Sequence, residues 1–204
     1  MSAAKATGMW SDADKKRWIN KAIVRACNFA KWNFLGHHST QLTEKDRESY
    51  FIPFDYKPGG MMFIKVDGQE YTKIRIENYQ SGSHVWEKVF CILGDQYLLK
   101  PIPDKDGKII DIYYRRRPVP LVNDTDEPIT PEEFDDPIVK FALAICLKKI
   151  PGRSGESDKE IFEATALLQQ TKDRQDEEVG SMYIGQATSS RFLYRQSNPN
   201  DFGQ

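Results

Sequence analysis

The chain is poor in the residues that would mark a redox, metal or secreted protein. It has 204 residues and three cysteines, Cys27, Cys91 and Cys146. Their odd number and wide spacing argue against a disulfide framework, and no clustered ligands complete a zinc set. Each lies in an apolar-rich segment, where a thiol behaves as a small hydrophobe, so buried free thiols are expected. Long apolar runs are also missing. The best of them, residues 141–147, is far too short to cross a bilayer, and the opening MSAAKATGMW has no apolar core of the signal-peptide kind. There is no excess of either charge: 29 Lys and Arg face 30 Asp and Glu, for a net charge of −1. That balance disfavours a dedicated nucleic-acid binder, which normally carries a basic surplus, although a local basic patch stays open. A soluble protein of a cytosol-like compartment, or one assembled from it, is expected.

Catalytic signatures are lacking too. There is no G-x-S-x-G elbow, no H-E-x-x-H and no paired Cys-x-x-Cys. Gly152 and Gly155 lie between helices without the Lys-Ser/Thr of a phosphate loop. Adjacent His37 and His38 read as a polar loop, since neighbouring side chains of an extended segment point apart. The acids Asp124, Asp126, Glu127, Glu132, Glu133, Asp135 and Asp136 do not follow the order of a calcium loop, and turn and cap roles suit them better. No catalytic residue, cofactor or metal ligand is assigned, and an enzyme is not expected.

What the chain does have is a helix, a run of short strands, and two more helices. Ser11 and Asp14 resemble a capping box. They open a helix whose Ile19, Ala22, Ile23, Ala26, Cys27 and Ala30 recur at helical spacing, flanked by Trp18 and Phe29. Gly36 is the expected left-handed stop. Residues 39–56 read as an extended arm, and Gly59-Gly60 as a break before the first convincing strand, 61–66. Asp67-Gly68 should turn that strand into 69–74 as a tight hairpin. After a polar loop at 77–83, strands at 85–93 and 97–102 flank Gly94-Asp95. A turn at 104–107 then leads into a last strand, 108–114.

The stretch 109–150 joins the β part to the helical part. Its Arg115, Arg116 and Arg117 fit either a contact with phosphate or an acidic partner patch, or a solvated strand end. Thr130, Pro131 and Glu133 look like a helix start, yet Pro137 follows seven residues past the cap. Either the helix kinks there, or a short turn at 131–135 precedes a new helix capped by Asp136. The second avoids a loss of about 3 kcal/mol and is preferred. It would leave 123–135 as an exposed connector. Ile138, Phe141, Ala142, Ile145, Cys146 and Lys149 share one face of this helix, and Val139, Leu143, Ala144 and Leu147 fill the rest, which predicts a central helix. Ser157 and Glu160 suggest another capping box, before a helix that is almost wholly charged over 172–178. From Gly180 on, the chain is rich in Ser, Gln and Asn but keeps Tyr183, Ile184, Phe192, Leu193, Tyr194 and Phe202. Aromatics of this density suggest an arm that orders against another surface.

The fold class is α+β. A helical layer, with helices near 12–34, 136–149 and 158–177, carries an inserted small antiparallel β sandwich or barrel at about 61–116. The expected division is a helical domain of 10–36 with 130–178, an inserted β domain of 37–129, and an extended C-terminal arm of 179–204.

The order of several stretches is itself informative. A Trp-Ser-Asp-x-Asp opening at Trp10 leads to Phe29-Ala-Lys-Trp-Asn-Phe. Val66-Asp-Gly-Gln-Glu-Tyr is followed by Tyr113-Tyr-Arg-Arg-Arg-Pro, by Leu121-Val-Asn-Asp-Thr-Asp-Glu-Pro and by Pro131-Glu-Glu-Phe. Over about residues 9–175 this resembles the head-to-tail adaptor proteins of tailed bacteriophages, with Pro137 and the tail after about 179 as departures. The resemblance implies a homo-oligomeric ring, of about a dozen copies, around the DNA channel at the head–tail junction of a virion assembled in the host cytoplasm. Its partners would be the portal protein above, tail or nozzle proteins below, other copies of itself, and double-stranded DNA passing through without sequence-specific binding. No membrane is involved. Tyr183, Ile184, Phe192, Leu193, Tyr194 and Phe202 would engage the portal, and Arg115–Arg117 a neighbour. The competing reading is a nucleic-acid-binding module that uses Arg115–Arg117.

Overall fold

The computed structural model describes residues 10–81 and 87–195, with side chains as far as Glu177. It is a mixed α/β chain of four helices and one seven-stranded sheet among the described residues. Contacts divide it into two compact units: the chain up to Ala30 together with that from Pro120 onward, and Lys31–Val119.

In the first unit, α1 spans Asp12–Phe29. The Ser11 hydroxyl oxygen accepts from the Asp14 backbone N–H at 3.1 Å, capping one orphan donor, and Asp12 and Asp14 add negative charge at the positive end of the helix dipole. Trp18, Ala22, Ile23, Ala26 and Cys27 are buried, but Ile19 is 38% exposed and leaves the expected stripe. The helix stops at Phe29, short of 34. A separate 3₁₀ turn covers Asn33–Leu35, and Gly36 has φ −60° rather than the left-handed value expected.

A 3₁₀ turn, Glu132–Phe134, precedes α3, Asp135–Leu147. The chain thus restarts, as preferred above, but Asp136 is not the cap. Phe134 occupies that position without a side-chain bond. Pro137 is the third helical residue, where an N–H has no intrahelical acceptor anyway, so the proline costs no hydrogen bond. The expected exposed connector is also corrected: Thr130 and Phe134 are buried. The buried face of α3 is Pro137, Ile138, Phe141, Ala144 and Leu147, while Val139 and Leu143 are exposed.

The last helix, α4, spans Ser154–Arg195. Ser157 lies inside it, buried, and donates to the Ala144 carbonyl at 2.9 Å instead of capping. Lys140 of α3 bonds Glu160 at 3.3 Å and Glu163 at 2.5 Å, and these pairings hold the lysine above and the Glu163 carboxyl below their ordinary ranges. Ala164 and Leu168 are fully buried. The extended arm expected from 179 is helical as far as Arg195. Gly180 and Gly185 cost only about 1 kcal/mol each in a helix, and no proline intervenes before Pro199. Phe202 lies outside the described residues.

In the second unit the strands are β1 Gly36–Leu42, β2 Ser49–Phe51, β3 Tyr56–Val66, β4 Gln69–Lys73, β5 Val89–Leu93, β6 Gln96–Lys100 and β7 Ile109–Arg116, with the short helix α2, Ile76–Gln80, between β4 and β5. The sheet is curled like half a barrel and ordered β1-β7-β3-β4-β5-β6-β2. Asp67 and Gly68 take φ 52° and 75°, the two positive values a tight hairpin requires. Four expectations are corrected. His37 and His38 sit in β1, not in a loop, paired with Tyr114 and Tyr113 of β7. The arm at 39–56 contributes β1 and β2. The polar loop at 77–83 begins as α2, anchored by buried Tyr79, whose hydroxyl donates to Glu48 at 2.7 Å with Leu99 O 2.9 Å away. Because α2 reverses the approach, β4 and β5 pair in parallel, so the sheet is not wholly antiparallel. Tyr50, Ile64, Phe90, Tyr97, Ile110, Ile112 and Tyr114 form the core.

Gly59-Gly60 does not break the chain but lies within β3, beside register shifts between Tyr56 and Met61 and between Met61 and Phe63. A Cβ on Gly60 would sit 2.8 Å from Lys57 O and 2.9 Å from Arg115 O, both backbone atoms. Gly60→Ala is therefore expected to destabilise the sheet by about 1–3 kcal/mol, read as a lowered urea midpoint with an unchanged slope. A midpoint equal to the parent's would show that β3 and β7 yield there freely.

Candidate functional site

The arginine triplet ends β7, and alternation splits it. Arg115 pairs in register with Gly36, and Arg116 with Tyr56. Both are half-buried, and Arg116 Nε is buried without a hydrogen-bond partner. Arg117 is exposed past the strand end, its backbone N–H donating to Asp55 O at 2.7 Å. It lines a shallow cleft of about 400 Å³ with Phe54, Tyr56, Pro58, Ile92 and Asp95. Phe54 is 98% exposed, an unusual position for a phenylalanine. Of the three arginines, then, only Arg117 is fully exposed.

On the other face of this sheet, Tyr113 stacks on His38 at 4.5 Å and on Phe63 at 4.3 Å between centroids. His38 Nε2 lies 2.9 Å from the Asp111 carboxylate. The central ring of this row is covered on both sides by its neighbours and cannot stack on anything else.

The acidic link is held by turn chemistry. Asp126 accepts from the N–H groups of Val122 at 2.7 Å and Asn123 at 2.8 Å, and these bonds hold its carboxyl below the usual range. Lys16 of α1 reaches Asp124 at 2.9 Å and donates to Val122 O at 2.7 Å. Asn20 completes the clamp: its amide donates to Leu121 O at 3.0 Å and its oxygen accepts from Leu121 N at 2.8 Å. One side chain thereby satisfies both backbone groups of Leu121, as a strand partner would. Asn20→Ala should cost about 1–3 kcal/mol by leaving both unpaired, and proteolysis within 121–127 should quicken. An unchanged cleavage rate would mean the link is held without Asn20.

An apolar groove of about 610 Å³ lies between α1 and α3 in the same unit, walled by Trp18, Ile19, Val139, Ala142 and Leu143 with Trp10 at its end. The sequence shows these residues as apolar but not as a surface, since an all-round apolar helix reads as core. Cys146 also lines the groove and is half-buried, whereas Cys27 and Cys91 are buried as expected; all three are free thiols. Burial raises the pKa of the Cys91 thiol.

Tyr183, Ile184, Phe192, Leu193 and Tyr194 fall on the far part of α4, beyond the last described side chain. Phe202, the sixth of that set, lies beyond Arg195, outside the described residues. Among the described residues no group of three or more His, Cys, Asp or Glu is placed to hold a metal ion, and no helix is long and apolar enough to cross a membrane.

No curated protein matches the chain. The model of one family, described as SU10 adaptor protein, matches residues 3–196.

Proposed function

The chain belongs to the SU10 adaptor protein family, a family of phage structural proteins, and from that premise we propose that it forms an oligomeric ring between the portal and the tail. The ring extends the DNA channel and gives the tail its platform. The match over nearly the whole chain carries this reading. The exposed apolar groove of the helical unit and the aromatic content of the chain's end support it, because both suit a protein whose surfaces are completed by neighbours. The stoichiometry is about a dozen, and the lumen passes double-stranded DNA without reading its sequence. Tyr183, Ile184, Phe192, Leu193, Tyr194 and Phe202 dock on the portal, and Arg117 with its two neighbours meets an acidic surface of an adjoining subunit.

Mass measurement of the full chain, alone and with portal rings, tests this. A monomer that becomes a ring on the portal is expected, and a chain truncated after Glu178 should no longer bind it. A full-length chain that ignores portal rings overturns the adaptor reading, and a truncated chain that still assembles overturns the role of the tail. If the chain were instead a nucleic-acid module, DNA affinity would fall steeply with salt and the slope would flatten when Arg115–Arg117 are replaced.

A further inference from the structure

The helical unit carries an apolar groove on one face and an apolar knob on another. The groove between α1 and α3 exposes Val139 at 63%, Leu143 at 43% and Ile19 at 38%, beside Trp10 and Trp18. Scattered exposed hydrophobes are ordinary, whereas a contiguous set marks an interaction site. Its lining includes one charge of each sign, Asp135 and Lys15, the latter also paired with Asp12 of its own helix at 2.9 Å.

The knob is Phe162, 75% exposed on α4. Ala164 and Leu168 mark the buried side of that helix, and Lys140 of α3 meets it at Glu160 and Glu163. At about 100° per residue, Phe162 is about 200° from Ala164 and faces away from α3. Gly155, Asp158, Lys159 and Ala166 are exposed along the same outer face. The two small residues leave room for another helix to come close, and Asp158 and Lys159 again give one charge of each sign, the Lys159 side chain being 74% exposed and paired only at 3.8 Å with Glu163 of its own helix.

We propose that the α4 face bearing Phe162 of one copy seats in the α1/α3 groove of the next. Asp158 and Lys159 then meet the Lys15 and Asp135 of the groove lining. The occupant is a second copy because the groove and the knob match in apolar character and in paired charge. They lie on different faces of the same unit, so one chain presents both halves of the contact. Joining two different surfaces is heterologous, and repetition of such a contact gives a ring wherever the rotation closes. The inference rests on the ring reading above and names the surfaces that build the ring.

The test uses the full chain on portal rings. Phe162→Asp replaces an exposed side chain, so the isolated protein should keep its circular dichroism and melting profile while ring assembly is lost. Phe162→Cys, treated with a short bismaleimide during assembly, should form a ladder of dimers, trimers and higher species by linking to Cys146 in the groove. Adding Cys146→Ser should erase the ladder. Cross-linking that stops at dimers and persists without Cys146 would mean that two α4 faces meet each other, and would overturn the proposal. So would normal rings from Phe162→Asp, which leave the adaptor reading standing. An unaltered chain that never forms rings would overturn both.

Discussion

Phe141→Ala is expected to lower the stability of the helical unit by about 3–5 kcal/mol, the cost of emptying a fully packed aromatic site. Phe141 is 1% exposed, at the middle of the buried face of α3. The Arg25 guanidinium of α1 lies 4.4 Å from its ring centroid, so the substitution also removes a cation–π contact and leaves a charged group over a cavity. Because α3 packs against both α1 and α4, the cavity opens at the one helix that both others depend on. Loss of helical circular dichroism should shift downward by at least about 12 °C. Val139→Ala is the matched control. It lies on the same helix two residues earlier but is 63% exposed, and should change stability by no more than about 0.5 kcal/mol. Equal effects from the two variants would refute the division of α3 into a packed and an open face.

That division shows where sequence reasoning stopped. Periodicity located α3, because Ile138, Phe141 and Leu147 recur at helical spacing, but it could not separate a core face from a face offered outward. Val139 and Leu143 are as apolar as the residues they flank, and only tertiary contacts distinguish them. Turn chemistry was more informative. Asp67-Gly68 and Gly94 each demand positive φ, and the chain supplies it at both sites. Strand β1 was illegible for the opposite reason. No residue of Gly36–Leu42 is buried, so the strand has no alternating apolar signal and is fixed by its hydrogen-bond ladder to β7. The arginine triplet was legible as a cluster, but not the half-burial of Arg115 and Arg116, which follows from their pairing on both sides of β7. Order of motifs pointed to the adaptor family although no single motif did, and the family match spans residues 3–196.

The sheet unit should lose stability steeply in alkali, because its tyrosines are held neutral. Tyr50, Tyr71, Tyr79, Tyr97 and Tyr114 all have pKa values raised above 10.0, and burial is the largest cause in each. Tyr114, 1% exposed, is pushed up to about 12, with its hydroxyl donating to Asp55 at 2.6 Å as the second cause. The Tyr79 hydroxyl donates to Glu48 at 2.7 Å and that of Tyr97 to Gln41 at 2.9 Å, so a phenolate at either place would face an acceptor. A phenol whose folded pKa exceeds its unfolded value contributes stability that is complete below the unfolded pKa. That stability disappears as pH rises through the folded one. For Tyr114 the window runs from 10.0 to about 12. Two units correspond to about 2.7 kcal/mol across it. The other four act in the same direction, so the denaturant midpoint should collapse over this range. Tyrosinate absorbance from these residues should rise only as the unit unfolds, not before. In Tyr114→Phe the unit should be weaker at neutral pH, having lost the bond to Asp55, yet its stability should fall less between 10.0 and about 12. If the parent and Tyr114→Phe lost stability in parallel through that window, the Tyr114 hydroxyl would not be the buried neutral donor that the geometry makes it.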